Sequence, residues 1–288
     1  CFNKIISLYP LATTSLVGVL VGPGHNGGDA LVIARELYLA GYQVQVYRPV
    51  FKLKELTANH ANYVASLGIT FYEDIQPLSQ CQLIVDGLFG FGLTRELPEN
   101  IIHAINIVNS WSQPIVSIDL PSGIHTDTGV VLVNSIKATH TLCLGLWKRA
   151  FFQDHALEYL GQSTRIDFGL LQHHIWSVLP QPVPVKQMTK AIALGFLPLP
   201  RPAITYKYRQ GHLLLICGSR TYAGAAILTA LGARASGVGM LSVAVPESLK
   251  PLLSSHLPEA LIIGCPENKE GAIASLPFSA NDLSQFDV

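Results

Sequence analysis

Residues 16–29, LVGVLVGPGHNGGD, decide how this chain is read. Leu16–Val21 is an apolar run of strand length, rich in β-branched valine. Gly22, Gly24 and Gly27 follow with G-x-G-x-x-G spacing, and an amphipathic run, Asp29–Ala40, comes next. Glycines let backbone amides come close to a phosphate, and a helix start adds a favourable dipole. Strand, glycine turn and helix together predict the first unit of a doubly wound α/β fold. The same residues also fit a plain tight turn in which Asp29 caps the helix.

Outward from this unit, short β-branched runs alternate with longer amphipathic ones. The strands expected are Gln43–Tyr47, Leu83–Asp86, Ile115–Asp119, Thr139–Leu144 and Thr164–Phe168, with helices at Leu56–Ser66 and Glu99–Asn109. Runs such as QLIVD and PIVSID lack strict alternation, as in strands covered on both faces. The fold class that follows is α/β, a Rossmann-like doubly wound parallel sheet. Residues 177–205 are proline-dense and read as a linker with a short helix near Thr189–Leu194. The pattern then restarts with HLLLICGS, AAILTALGARAS, MLSVAVP and ALIIGCPE, the opening of a second α/β domain. The expected organisation is a domain at 1–176, the linker at 177–205, and an incomplete domain at 206–288. Because the chain starts on Cys1 and stops without a closing element, it is expected to be cut at both ends.

Composition narrows the function. Among 288 residues, 19 basic and 19 acidic side chains cancel, only 13% are charged and 49% are apolar. Disorder needs the opposite balance, and nucleic-acid binding needs a basic field. No apolar run reaches the length that spans a bilayer. Cys1, Cys81, Cys143, Cys217 and Cys265 are far apart and odd in number, which suits reduced thiols in the cytoplasm rather than a disulfide framework or a zinc site. His60, His173 and His174 read as surface residues.

Chemistry concentrates at strand ends. Asp86 closes one strand before the glycine-rich stretch 87–92, and Asp119 closes another before Leu120-Pro121-Ser122-Gly123. A parallel sheet brings both ends and the Asn26 turn to one edge, where open α/β folds bind ligands. Asn26, Asp86 and Ser122 offer hard oxygens that suit an alkali or alkaline-earth cation. The acid that reads ribose at the end of the second strand is missing, so an ordinary dinucleotide hydride-transfer site is disfavoured. Arg48 stands there instead, read first as a solvated arginine and second as a contact for a 2′-phosphate. Lys148 and Arg149 fit either a site wall or a solvated loop and carry no assignment.

VLVGPGHNGGDALVIARELYLAGYQVQVYRP, IVDGLFGFGLTREL and PIVSIDLPSGIHTDTG together resemble the NAD(P)H-hydrate epimerase family, the YjeF N-terminal domain. The later stretch YKYRQGHLLLICGSRTYAGAAILTALGARASGVGMLSVAVPESL resembles the start of the ADP-dependent NAD(P)H-hydrate dehydratases, which are ribokinase-like. The resemblance implies metabolite repair: epimerisation of (6R)- and (6S)-NAD(P)HX by the first domain, coupled in a complete protein to ADP-dependent dehydration of (6S)-NAD(P)HX to NAD(P)H. It implies substrate contacts at His25, Asn26, Gly27, Gly28 and Asp29, with His25 replacing the family's usual asparagine. Further contacts are implied at Gly90, Phe91, Gly92, Leu93, Thr94, Arg95 and Glu96, at Asp119, and at Ala225 in the second domain. Asp119 is the implied catalytic acid/base, and Asn26, Asp86 and Ser122 are the implied potassium ligands. ADP and Mg2+ would serve the dehydratase only in a complete chain, since its later nucleotide loop lies beyond the residues present. A cytoplasmic homo-oligomer acting on a small molecule, with no nucleic-acid or membrane partner, completes the expectation. The alternative is a non-catalytic nucleotide-binding module of the same fold.

Overall fold

In the computed structural model, the run that opens the sequence reading becomes β1 (Leu16–Val21), preceded by a short helix α1 (Phe2–Leu8) that the pattern did not announce. The structure describes residues 1–179, 182–183, 185–197 and 199–288. Pro180, Gln181, Pro184 and Pro198, all in the expected linker, lie outside the described residues. The chain divides into two units, Cys1–Pro184 and Val185–Val288.

In the first unit α2 (His25–Leu39), β2 (Gln43–Tyr47), α3 (Glu55–Ser66) and β3 (Thr70–Tyr72) follow β1. Next come β4 (Leu83–Gly87), α4 (Glu99–Asn109), β5 (Ile115–Ile118), β6 (His140–Leu144), α5 (Leu157–Leu160), β7 (Gln162–Ile166) and α6 (Gln172–Val178). The sheet order is β3-β2-β1-β4-β5-β6-β7, and every neighbouring pair is parallel. The expected doubly wound parallel sheet is thus present.

Continuous apolar runs in the strands have a direct cause: both faces are covered. Val17, Val19, Val21, Leu83 and Val85 point into one core with α2 and Ile5 of α1. Leu20 and Ile84 point into the other, where Ile101, Ile105 and Val108 of α4 pack. Burying one such side chain contributes roughly 1.5–3 kcal/mol. The register sets Leu20 beside Asp86 and Asp86 beside Ser117, so Asp86 closes the central strand at the carboxyl edge.

The second unit contains α7 (Lys190–Phe196), β8 (His212–Ile216), α8 (Ala223–Ala235), β9 (Met240–Pro246), α9 (Lys250–His256), β10 (Leu261–Cys265) and α10 (Ala280–Leu283). Its parallel sheet runs β10-β9-β8. Thr189 caps α7, accepting the Ile192 amide at 3.3 Å. Val243 and Val245 pack with Ala226, Ala230 and Leu253 in its core. Among the described residues no helix is long and apolar enough to cross a membrane.

Candidate active site

The expected helix start at Asp29 is corrected: α2 begins at His25, behind the N-cap Gly24. His25, Asn26, Gly27 and Gly28 therefore form the first turn of a helix rather than a loop, and Asp29 begins its second. Two helical glycines each cost about 1 kcal/mol relative to alanine, which is why the sequence pattern placed the start late. Packing explains their presence. A Cβ on Gly27 would land on the Gly22 carbonyl, and one on Gly22 would land on the Leu88 carbonyl. The turn after β1 and the turn after β4 are thereby pressed backbone to backbone. No side chain caps α2, so its first amides have no side-chain acceptor. Asp29 is no cap.

At this carboxyl edge lies a cleft of about 500 Å³. His25, Asn26 and Asp29 line it from α2, and Gly90, Phe91 and Gly92 from the turn after β4. Asp119 enters from the end of β5, Leu144 and Lys148 from β6 and its following turn, and Phe168 from the end of β7. Lys54, just ahead of α3, completes the wall.

Asp86 is fully buried behind the cleft. Its Oδ1 accepts the Leu88 amide at 3.2 Å and the Ser122 hydroxyl at 2.6 Å. Its Oδ2 accepts the Ser117 hydroxyl at 2.8 Å and the Ser122 amide at 2.9 Å. Burial pushes this carboxyl up from its ordinary range, and the bonds from Ser122, Ser117 and Leu88 pull the other way. Among the described residues no lysine, arginine or histidine lies within ion-pair distance of it. Ser122 in turn accepts the Phe89 amide at 2.8 Å, which links the turn after β4 to the turn after β5.

Asp119 stands just past β5 rather than within it, in the left-handed region at φ +67°. A non-glycine residue there carries strain of about 1–3 kcal/mol, which the surrounding structure must hold in place. Its carboxylate is almost wholly buried and accepts the Phe91 amide at 3.0 Å. Lys148 is its ion-pair partner. Across the cleft, burial first and then the Asp119 charge raise the Asp29 carboxyl, while His25, His60 and the N-terminal ammonium pull it down. Asn26 donates to the Ile118 carbonyl at 3.3 Å, holding the helix start against the end of β5.

The structure therefore brings His25, Asn26, Asp29, Gly90, Phe91, Gly92 and Asp119 to one cleft. Gly27 and Gly28 are buried beneath it, Leu93 belongs to the core beside α4, and Thr94, Arg95 and Glu96 are exposed without lining it. Ala225 sits exposed in the first turn of α8, in the second unit. Lys148, Lys54 and Phe168 are cleft residues that sequence reasoning did not assign. For Lys148 the only signal was its place a few residues past a strand end. Arg48 is not the solvated arginine first expected. Its guanidinium carbon lies 5.5 Å from the Phe51 ring centre and 5.2 Å from that of Phe71, and its Nε is buried without a partner. Among the described residues no three His, Cys, Asp or Glu side chains come together to hold a metal. Asn26, Asp86 and Ser122 are oxygen donors of another kind.

Known proteins match in the same places. The family model described as YjeF-related protein N-terminus matches residues 4–150, and the model described as NAD(P)H-hydrate dehydratase matches residues 213–281. The Bifunctional NAD(P)H-hydrate repair enzyme Nnr of Synechocystis sp. is 55% identical over 286 residues, 99% of this chain and 54% of that protein. The proteins of the same name in Thermosynechococcus vestitus and Gloeobacter violaceus are 51% and 45% identical, over 97% of this chain and 55% of theirs. The chain spans about half the length of these curated relatives. With more than half of its residues under the first model, and with every cleft residue but Phe168 among them, the chain belongs to the YjeF-related protein N-terminus family.

Proposed function

We propose that the first unit epimerises (6R)- and (6S)-NAD(P)HX, the hydrated forms of reduced nicotinamide nucleotides. One observation carries this reading: a buried, ion-paired carboxylate, Asp119, faces a cleft entered by the uncapped start of α2. The helix start suits the nucleotide phosphates, and the carboxylate suits the reacting ring. Inversion at carbon six proceeds by losing and regaining the hydroxyl or by opening and closing the ring. Both routes move a proton at the carbon-six oxygen. Asp119 is the group that exchanges it. Asp29, whose carboxyl is raised, is suited to hold a proton on the opposite wall.

Potassium belongs to the same proposal. Asp86 is a fully buried carboxylate with no protein cation beside it among the described residues, and such a charge calls for a counter-ion or a proton. Asn26, Asp86 and Ser122 would hold the ion, which supplies fixed positive charge beneath the cleft. For the second unit we propose a part in ADP-dependent dehydration of (6S)-NAD(P)HX, on the match at residues 213–281. Five free thiols suit a reducing cytoplasm, and a homo-oligomer is part of the proposal for the whole protein.

The test is chromatography of a mixed NADHX epimer pool from which a purified dehydratase removes only one epimer. The chain is expected to restore consumption of the remaining epimer, and Asp119→Asn to slow it about 10²–10⁴-fold. A chain that binds NADH yet leaves the epimer ratio untouched would instead be the non-catalytic module.

A further inference from the structure

Lys148 is bound on all sides. Gly145, at φ +67°, turns the chain back over the end of β6, and the lysine returns to the carbonyl it has just passed. Its Nζ donates to Asp119 Oδ1, to the Leu144 carbonyl at 2.7 Å and towards Cys143 Sγ at 3.8 Å. An ammonium has three protons, and here each has an acceptor, so none remains for a bound substrate.

The two oxygens of Asp119 are consequently unlike. Oδ1 accepts Lys148 and, at 3.3 Å, the Leu144 amide. Among the described residues Oδ2 accepts only the Phe91 amide, at 3.0 Å. Only the lack of a side chain at Gly90 leaves room beside Oδ2: a Cβ built there would lie 3.1 Å from it and 3.1 Å from Asn26 Oδ1, tighter than ordinary contact. A carboxylate's last torsion is broad and two-fold, so an untethered aspartate presents either oxygen.

We propose that Lys148 is a positioning residue that locks Asp119 through Oδ1, so that Oδ2 alone exchanges the proton with the carbon-six oxygen of NAD(P)HX. This rests on the epimerase reading. The proton that Oδ2 takes or gives in the first half of the inversion is passed back in the second, so the enzyme ends unchanged. Lys148 keeps its three protons throughout.

Steady-state epimerisation by the 288-residue chain, with the epimers separated by chromatography, provides the test. Lys148→Met is expected to lower kcat about 10²-fold, the cost of about an ångström of misplacement, with KM within about threefold of wild type. Lys148→Met combined with Asp119→Asn is expected to be no slower than Asp119→Asn, because the lysine acts only through that carboxylate. Ethylammonium added to Lys148→Ala is expected to restore part of the lost kcat. Should Lys148→Met fail to fold, Lys148→Arg carries the test. It keeps the charge, but its planar fork cannot serve the same three acceptors, and a loss of about tenfold in kcat is expected. Wild-type kcat in Lys148→Met or Lys148→Arg overturns the proposal alone, as does a double variant whose loss is the product of the single losses. A wild-type chain that leaves the epimers unchanged overturns the epimerase reading as well.

Discussion

Replacing Asp86 by asparagine changes one oxygen to an amide nitrogen inside a fully buried site. The cheaper orientation turns that nitrogen towards the Leu88 amide and the Ser122 hydroxyl. Ser122 can adapt, because its hydroxyl can swing to the Phe89 carbonyl at 3.1 Å and accept instead. The Leu88 amide cannot reverse, and its 3.2 Å bond is lost. A bond to a charged acceptor is worth about 1.5–3 kcal/mol, and an orphaned buried amide costs about 1–3 kcal/mol more. Relief from burying a charge offsets part of this, leaving a deficit of about 2–4 kcal/mol. For a unit of this size that is a fall in Tm of roughly 5–15 °C.

Urea unfolding of wild type and variant across pH, in sodium buffers, measures that deficit. Its pH slope has a definite sign. Burial raises the Asp86 carboxyl in the folded chain, so between the unfolded and the raised value the folded chain binds more protons. Wild-type stability from this group therefore rises as pH falls through that window and is lost as pH rises through the raised value. Asparagine does not titrate, and Asp29, raised in both proteins, cancels. The deficit of Asp86→Asn should be largest on the acid side and shrink towards neutral pH. A deficit below about 1 kcal/mol throughout, or one that grows as pH rises, would refute the picture of a buried, hydrogen-bonded carboxyl without a counter-ion.

Gly90→Ala places a methyl between Asn26 and Asp119 Oδ2; kcat/KM for epimerisation should fall about 10²-fold with unfolding free energy within about 1 kcal/mol of wild type. Potassium at a hundred times its dissociation constant should stabilise the wild-type chain by about 2.7 kcal/mol relative to choline at equal ionic strength. Asp86→Asn should abolish that gain in a thermal melt, and equal melting of wild type in both salts would remove potassium from the proposal.

The parallel sheet was legible because its strands are apolar on both faces, as Val19 and Leu20 show by pointing into opposite cores. Two short elements, α1 and β3, were not. α1 buries only Ile5, and β3 is three residues at the sheet edge, too short for any period to register. The start of α2 was set too late because Gly27 and Gly28 are poor helix formers, Gly27 being kept for the close approach of Gly22 while Gly28 faces Thr57 of α3. In the site, Asp86 and Asp119 were visible as carboxylates at strand ends. Their difference was not. One is closed in by hydroxyls and amides, the other is tied to a lysine, and only the fold supplies those neighbours. Lys148 stands 29 positions from Asp119, and no local spacing ties the two together.

The bond from Asn26 to the Ile118 carbonyl closes a span of 92 positions. On a ribosome adding about 5–20 residues per second, the glycine turn waits roughly 5–20 s before its partner is made. Lys148 and Phe168 emerge later still. Throughout that interval the nascent chain displays a helix start open to phosphate but no carboxylate opposite it. Under the proposed function, nucleotide cannot template the early half of the sheet. It can reward only a sheet closed as far as β7, so whatever protection it gives should reach the domain as a whole and not its first emerging strands.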